Sequence, residues 1–189
     1  RRMIEHRCLS PWKGAVVGGL IVFVWQALSW KALPFHNRSV AQLPDAAPLV
    51  HSLEASALQG GVYLLANDPS GKTAPTDPFL FLSYHKAGWG SMGKTMALGL
   101  LIQTVGAFFW TWILGKIPGL TLKDAALYGA FFGICVGVLG QMSNFVWWKF
   151  PFGFAFLYVV DAVAGWTLAS LAISRCYAPA CPLPTQPNA

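Results

Sequence analysis

Charge is scarce in this chain. Asp and Glu number seven and Lys and Arg 13 among 189 residues, 11% in all, whereas 55% are hydrophobic. Such a balance cannot coat a soluble domain of this size and points to an integral membrane protein. The basic residues form no stripe along one face, so a nucleic-acid partner is not expected. Histidine is equally sparse: His6, His36, His51 and His85 all fall outside the long apolar runs. A haem with two axial histidines buried within this chain therefore has no ligands. Neither a GxSxG nucleophile turn, a phosphate-binding glycine loop nor an HExxH zinc motif is present.

Four apolar runs stand out, each about long enough for a hydrocarbon core of roughly 30 Å. They predict an all-α membrane protein with spans at 14–32, 94–115, 125–146 and 152–174, flanked by an N-terminal segment 1–13 and a tail 175–189. Four spans put both termini on one side. The short segments carry concentrated basic charge (Arg1, Arg2, Arg7 and Lys13; Lys116 and Lys123; Arg175), whereas in 33–93 it is diluted among Asp45, Glu54, Asp68 and Asp77. The positive-inside rule then places both termini in the cytoplasm, or its organellar equivalent, and 33–93 outside. A bacterial inner membrane or an organellar membrane fits. The first run is longer than a signal-peptide core, carries Trp25 and Trp30, and lacks a small-residue cleavage site; it is expected to stay in the membrane.

The insertion 33–93 reads as a helix followed by a β-hairpin. PDAAPLVHSLEASALQ spaces Leu49, Leu53 and Leu58 helically, ending at Gly60 and Gly61. GVYLLA and FLFLSYH read as strands around NDPSGKTAPTDP. This unit is too small to fold alone and should lie against the outer ends of the spans.

Within the spans, Asp161 is the sole Asp, Glu, Lys, Arg or His of the fourth run, where ionisation is most costly. It shares a helical face with Gly165 and is turned inward. At similar depth Gln103 offers a hydrogen bond, and Gln26, Gln141 and Asn144 would form a polar cluster nearby. The simplest role for Asp161 is a neutral hydrogen-bonding group that pairs helices; proton or ion handling is the alternative. Gly129, Gly133 and Gly137 recur at four-residue spacing and leave one helix face bare for close approach.

Two outer-surface candidates remain, His36 in LPFHN and His85 in FLSYHK, which could converge with Asp77 or Glu54, though surface histidine is the simpler reading and no metal site is assigned. His6, Cys8, Cys176 and Cys181 would supply four zinc-type ligands, but their spacing is loose and free thiols explain them. No cofactor is expected within the chain. Pigment, quinone or lipid contacts would fall at subunit interfaces, where tryptophans rim the spans.

VWQALSWKALPFHN, GVYLLA and NFVWWKFPFGFAFLYVVDAVAGWTLASLAI together resemble a group of small four-helix bacterial membrane proteins. The resemblance covers most of the chain, is most specific in the last hairpin, and implies a four-span fold without carrying an activity. The expected function is an accessory subunit packed into a larger membrane assembly, of the electron-transport or photosynthetic kind, with the lipid bilayer and other membrane subunits as partners. The alternative is a small transporter or proton-handling protein built on Asp161. A membrane enzyme with an outer histidine site is a weaker third.

Overall fold

A computed structural model describes residues 10–56, 58–65, 79–88 and 90–176. The N-terminal arginines, His6, Cys8, Cys181, the NDPSGKTAPTDP loop and the tail from 177 onward lie outside the described residues. The chain folds into α1 (Pro11–Ala32), α2 (Pro34–Ser39), α3 (Ala47–Ala55), β1 (Gly61–Leu65), β2 (Leu80–Tyr84), α4 (Met92–Leu114), α5 (Leu122–Gly137), a π-helical turn Val138–Met142, α6 (Ser143–Trp147) and α7 (Phe152–Arg175). Four helical stretches are long and apolar enough to cross a membrane: Pro11–Ala32, Met92–Leu114, Leu122–Trp147 and Phe152–Arg175.

Their termini follow local chemistry. Pro11 opens α1 at a position where a missing N–H costs nothing. Thr121 and Asp124 form a reciprocal capping box at the start of α5, and Ser91 accepts from Lys94 N–H at the start of α4. The link from α4 to α5 turns at Gly119, whose φ of 67° suits glycine. Between α6 and α7 the turn is made by Lys149 at φ 56°, an uncommon left-handed non-glycine position.

Glycine sets the packing. On α5, a methyl group at Gly133 would stand 2.5 Å from Val163 Cα and 2.6 Å from the Ala162 carbonyl oxygen, and one at Gly137 would stand 2.7 Å from Val159 Cα. The α5 and α7 backbones therefore touch, the small-residue packing that holds helices together where apolar burial gives little drive. Gly165 faces α1 instead, with Trp25 Cδ1 3.1 Å from where a methyl would be. A further glycine set is on α1 itself: a methyl at Gly19 would meet Thr104 Cα of α4 at 2.6 Å, and Gly14 and Gly18 are buried beside it. The opposite face of α1 presents Val16, Leu20, Val24 and Leu28 outward at helical spacing, an apolar exterior that fits a lipid environment.

The core runs along α7, which packs against both α1 and α5. Toward its C-terminal end Trp110 stacks on Phe132, with ring centroids 4.2 Å apart, and Trp166 meets Phe132 edge-on. Trp110 Nε1 donates to Ser170 Oγ at 2.7 Å, and that hydroxyl donates onward to the Trp166 carbonyl, so these two buried side chains are satisfied in series.

At the other end sits the inserted unit. Helix α3 stops at Ala55, well before the glycine pair predicted to end it, and β1 and β2 pair antiparallel with Gly61 opposite Tyr84 and Leu65 opposite Leu80. Phe81 packs on Trp148 at 4.9 Å and near Phe150 at 6.0 Å, which seats the hairpin on the α6–α7 turn.

Candidate functional site

The site begins with a chain reversal. Leu33 precedes Pro34 and is held extended at φ −95°, ψ 130°, as the proline ring requires of its predecessor. Pro34 then occupies the first turn of α2, where its fixed φ starts a new helix. The one-residue interruption at Leu33 folds α2 back against α7, and His36 enters the bundle rather than the outer surface.

His36 is 1% exposed and Asp161 4%. Ser29 Oγ donates to Asp161 Oδ1 at 2.6 Å and lies 2.9 Å from His36 Nε2. His36 Nε2 is also 2.8 Å from Asp161 Oδ2. The two contacts of Nε2 are not equivalent: Ser29 Oγ is within hydrogen-bonding distance and geometry, whereas Asp161 Oδ2 receives no well-directed hydrogen bond among the described residues despite that short separation. The imidazole and carboxylate are thus joined directly by electrostatic contact and indirectly through a hydroxyl. Trp30 lies flat on the imidazole, with centroids 4.4 Å apart and planes 18° apart, and Tyr158 tilts against Trp30 at 5.6 Å.

Burying an acid and a base together limits the desolvation penalty. One proton shared between Asp161 and His36 leaves the pair neutral overall whichever residue holds it, so moving that proton does not move net charge into the apolar interior. The arrangement is not that of a serine nucleophile. In an acyl-transfer triad the carboxylate binds the imidazole nitrogen remote from the serine; here Asp161 and Ser29 crowd the same nitrogen, and the serine hydroxyl donates to the carboxylate.

Beside this cluster opens a cavity of about 430 Å³, within the range of small-molecule sites. Asp161, Gln26, Gln141, Lys31 and Tyr158 contribute its polar wall, and Phe23, Met92, Met96, Gly99 and Val136 are among its apolar lining. The expected Gln103–Asp161 pair is not formed: Gln103 Nε2 donates to Gln26 Oε1 at 3.0 Å. Asp161 turns to Ser29 and His36 because α2, folding back, brings a base closer than α4 brings its amide. Asn144 Nδ2 donates to Gln141 Oε1 at 3.1 Å. Gln26, Gln141 and Asp161 therefore share one cavity wall, with Gln103 and Asn144 attached behind two of them.

Gln141 belongs to the π-helical turn Val138–Met142. A π turn accommodates an extra residue and shifts the register of the helix beyond it. The glycine face that grips α7 ends at Gly137, and the widened turn presents Gln141 at the cavity.

His85 follows β2 and is exposed, so the two outer histidines part company: one is solvent-facing and the other locked on Asp161. Among the described residues no three or more His, Cys, Asp or Glu side chains gather at metal-binding distance. Cys135 and Cys176 are free and exposed. Sequence reasoning misses Ser29, Trp30 and Tyr158 as members of this cluster. The signal that could have found them is Leu33-Pro34, which must break the helix one turn beyond Ser29. No protein family, curated protein or solved structure matches the chain.

Proposed function

We propose that this chain is a small proton-handling membrane protein whose working element is the Asp161–Ser29–His36 cluster. The observation that carries the reading is a buried acid and imidazole linked by one hydroxyl, at the wall of an intramembrane cavity. Ionisable groups inside apolar spans are costly and mark proton or ion pathways, and imidazole is the side chain best suited to exchange protons near neutral pH. The serine hydroxyl can pass a proton from Nε2 to the carboxylate by accepting one and donating its own. The cavity supplies the route by which the pair is reached. Lys13, Lys116, Lys123 and Arg175 lie at one end of the bundle and favour the cytoplasmic face there, with the β-hairpin outside.

The test is proton flux into liposomes that hold the purified protein and an enclosed pH-sensitive dye. An imposed pH step should be relaxed faster with the protein than in empty liposomes, and Asp161→Asn should remove the difference while remaining folded. Equal flux in the folded Asn variant would refute the reading.

A second reading, an accessory subunit of a larger assembly, is favoured by one observation: the hairpin leaves Val62, Leu64, Phe79 and Leu80 exposed, an apolar edge suited to a neighbouring chain. Purification in mild detergent decides it, by co-migration with other membrane proteins at fixed stoichiometry or by its absence.

A further inference from the structure

We infer that the start of α1 and the end of α4 bind an anionic phospholipid, with its phosphate between Lys13 and Lys116 and an acyl chain along the outward faces of the two helices. This site lies at the opposite end of α1 from Ser29 and does not depend on proton handling.

Glycine fixes the level at which the two helices meet. A methyl group at Gly14 would run into the Thr111 side chain, so α1 begins pressed against the last turn of α4. Trp12 and Lys13 stand beside that turn, and Lys116 follows just after α4 ends at Leu114. Trp12 packs on Phe108 with ring centroids 4.8 Å apart, Trp112 is one helical turn farther along α4, and the Lys116 ammonium lies 5.2 Å from the centre of the Trp112 ring. Both lysines and both indoles are exposed. Indoles at the end of a span suit headgroup level, where they face apolar tails on one side and water on the other.

Charge defines the head. Among the described residues neither lysine has an ion pair, and the carboxylate at this end is that of Asp124, which accepts from the Thr121 hydroxyl at 2.6 Å. Asp45 and Glu54 belong to the insertion, and Asp161 is held inside by Ser29 and His36. Two ammonium groups without an acid of their own favour a phosphate, and Lys123 and Arg175 at the same end add to the field. A zwitterionic headgroup would bring its own ammonium against the lysines, so a net anionic lipid is preferred. The tail follows from what adjoins the cations. Val16 and Leu20 continue the face of Lys13 along α1, and Phe109 and Val105 continue that of Trp112 along α4; all four are exposed. A soluble anion would use the lysines alone. A phospholipid uses the cations and the apolar tract together.

The experiment titrates the full chain in detergent with dioleoylphosphatidylglycerol or dioleoylphosphatidylcholine and counts bound lipid by native mass spectrometry. The first phosphatidylglycerol should bind about thirtyfold more tightly than phosphatidylcholine, as two lysines at a headgroup imply. Raising ammonium acetate from about 0.1 M to about 1 M should remove most of that preference. The double variant Lys13→Gln, Lys116→Gln should bind the two lipids alike, whereas Lys94→Gln at the other end of α4 should keep the preference; circular dichroism confirms that both are folded. Equal affinity of the two lipids, a preference that survives high salt or the double substitution, or its loss in Lys94→Gln would each overturn the proposal. So would full displacement of phosphatidylglycerol by inorganic phosphate, which would mark a site for free phosphate, or by hexaglutamate, which would mark a contact for an acidic protein. Neither lysine touches Ser29, His36 or Asp161, so this inference and the proton-handling reading fail separately.

Discussion

Ser29 Oγ stands 2.6 Å from Asp161 Oδ1 and 2.9 Å from His36 Nε2, a single hydroxyl between a buried acid and a buried base. It belongs to α1, the acid to α7 and the base to α2, so the contact ties three elements at one point. The same three residues that are proposed to handle a proton also hold the short helix in place, and substitutions must separate the two roles.

At Asp161 the separation is by shape. Asp161→Asn keeps an oxygen to accept from Ser29, and its amide can donate to His36 in the tautomer that accepts at Nε2. Unfolding temperature in detergent should fall little. Asp161→Leu removes the acceptor to which the Ser29 hydroxyl donates and the acid that faces the imidazole, at a cost of about 1–3 kcal/mol. Equal stability of the Asn and Leu variants would show that the cluster does not hold the fold.

Gly133→Ala should destabilise by about 1–3 kcal/mol, because the added methyl meets the backbone of Val163 and Ala162, which cannot step aside as a side-chain tip could. Gly140→Ala is the control, since nothing lies within 4 Å of its position. The two variants should unfold at clearly different temperatures; equal values would contradict the direct backbone contact of α5 and α7.

Much of this architecture is legible in the sequence, because span length and glycine spacing are local properties. Apolar runs give the four long helices, and a four-residue period gives the Gly129, Gly133 and Gly137 face. The glycine face of α1 carries the same signal but is hidden in a uniformly apolar helix. The partner of Asp161 is not legible. Depth along straight spans matches it to Gln103, whereas His36 reaches it only because Leu33-Pro34 reverses the chain, and how far a short helix folds back is decided by tertiary packing. A histidine eleven residues beyond Trp25, outside every apolar run, therefore reads as a surface residue. The π turn is likewise invisible, since helical periodicity assumes a constant number of residues per turn.

Orientation is tested by labelling single cysteines introduced into a chain whose native cysteines are replaced by serine or alanine. Ser83→Cys on the exposed hairpin should react with a membrane-impermeant maleimide in intact cells, and Lys116→Cys in the α4–α5 link only after permeabilisation. The reverse pattern would invert the assignment drawn from Lys13, Lys116, Lys123 and Arg175.

The central claim is that Asp161 and His36 act as an acid–imidazole pair, and exchanging them tests it most directly. Proton flux is measured in dye-loaded liposomes for His36→Asp, for Asp161→His and for the double exchange. Each single variant places two like groups around Ser29 and should lose flux. The double exchange restores one carboxyl and one imidazole across the same hydroxyl and should regain a measurable part of the wild-type rate. A folded double variant as inactive as the singles, or a His36→Asp variant with full flux, would contradict the account.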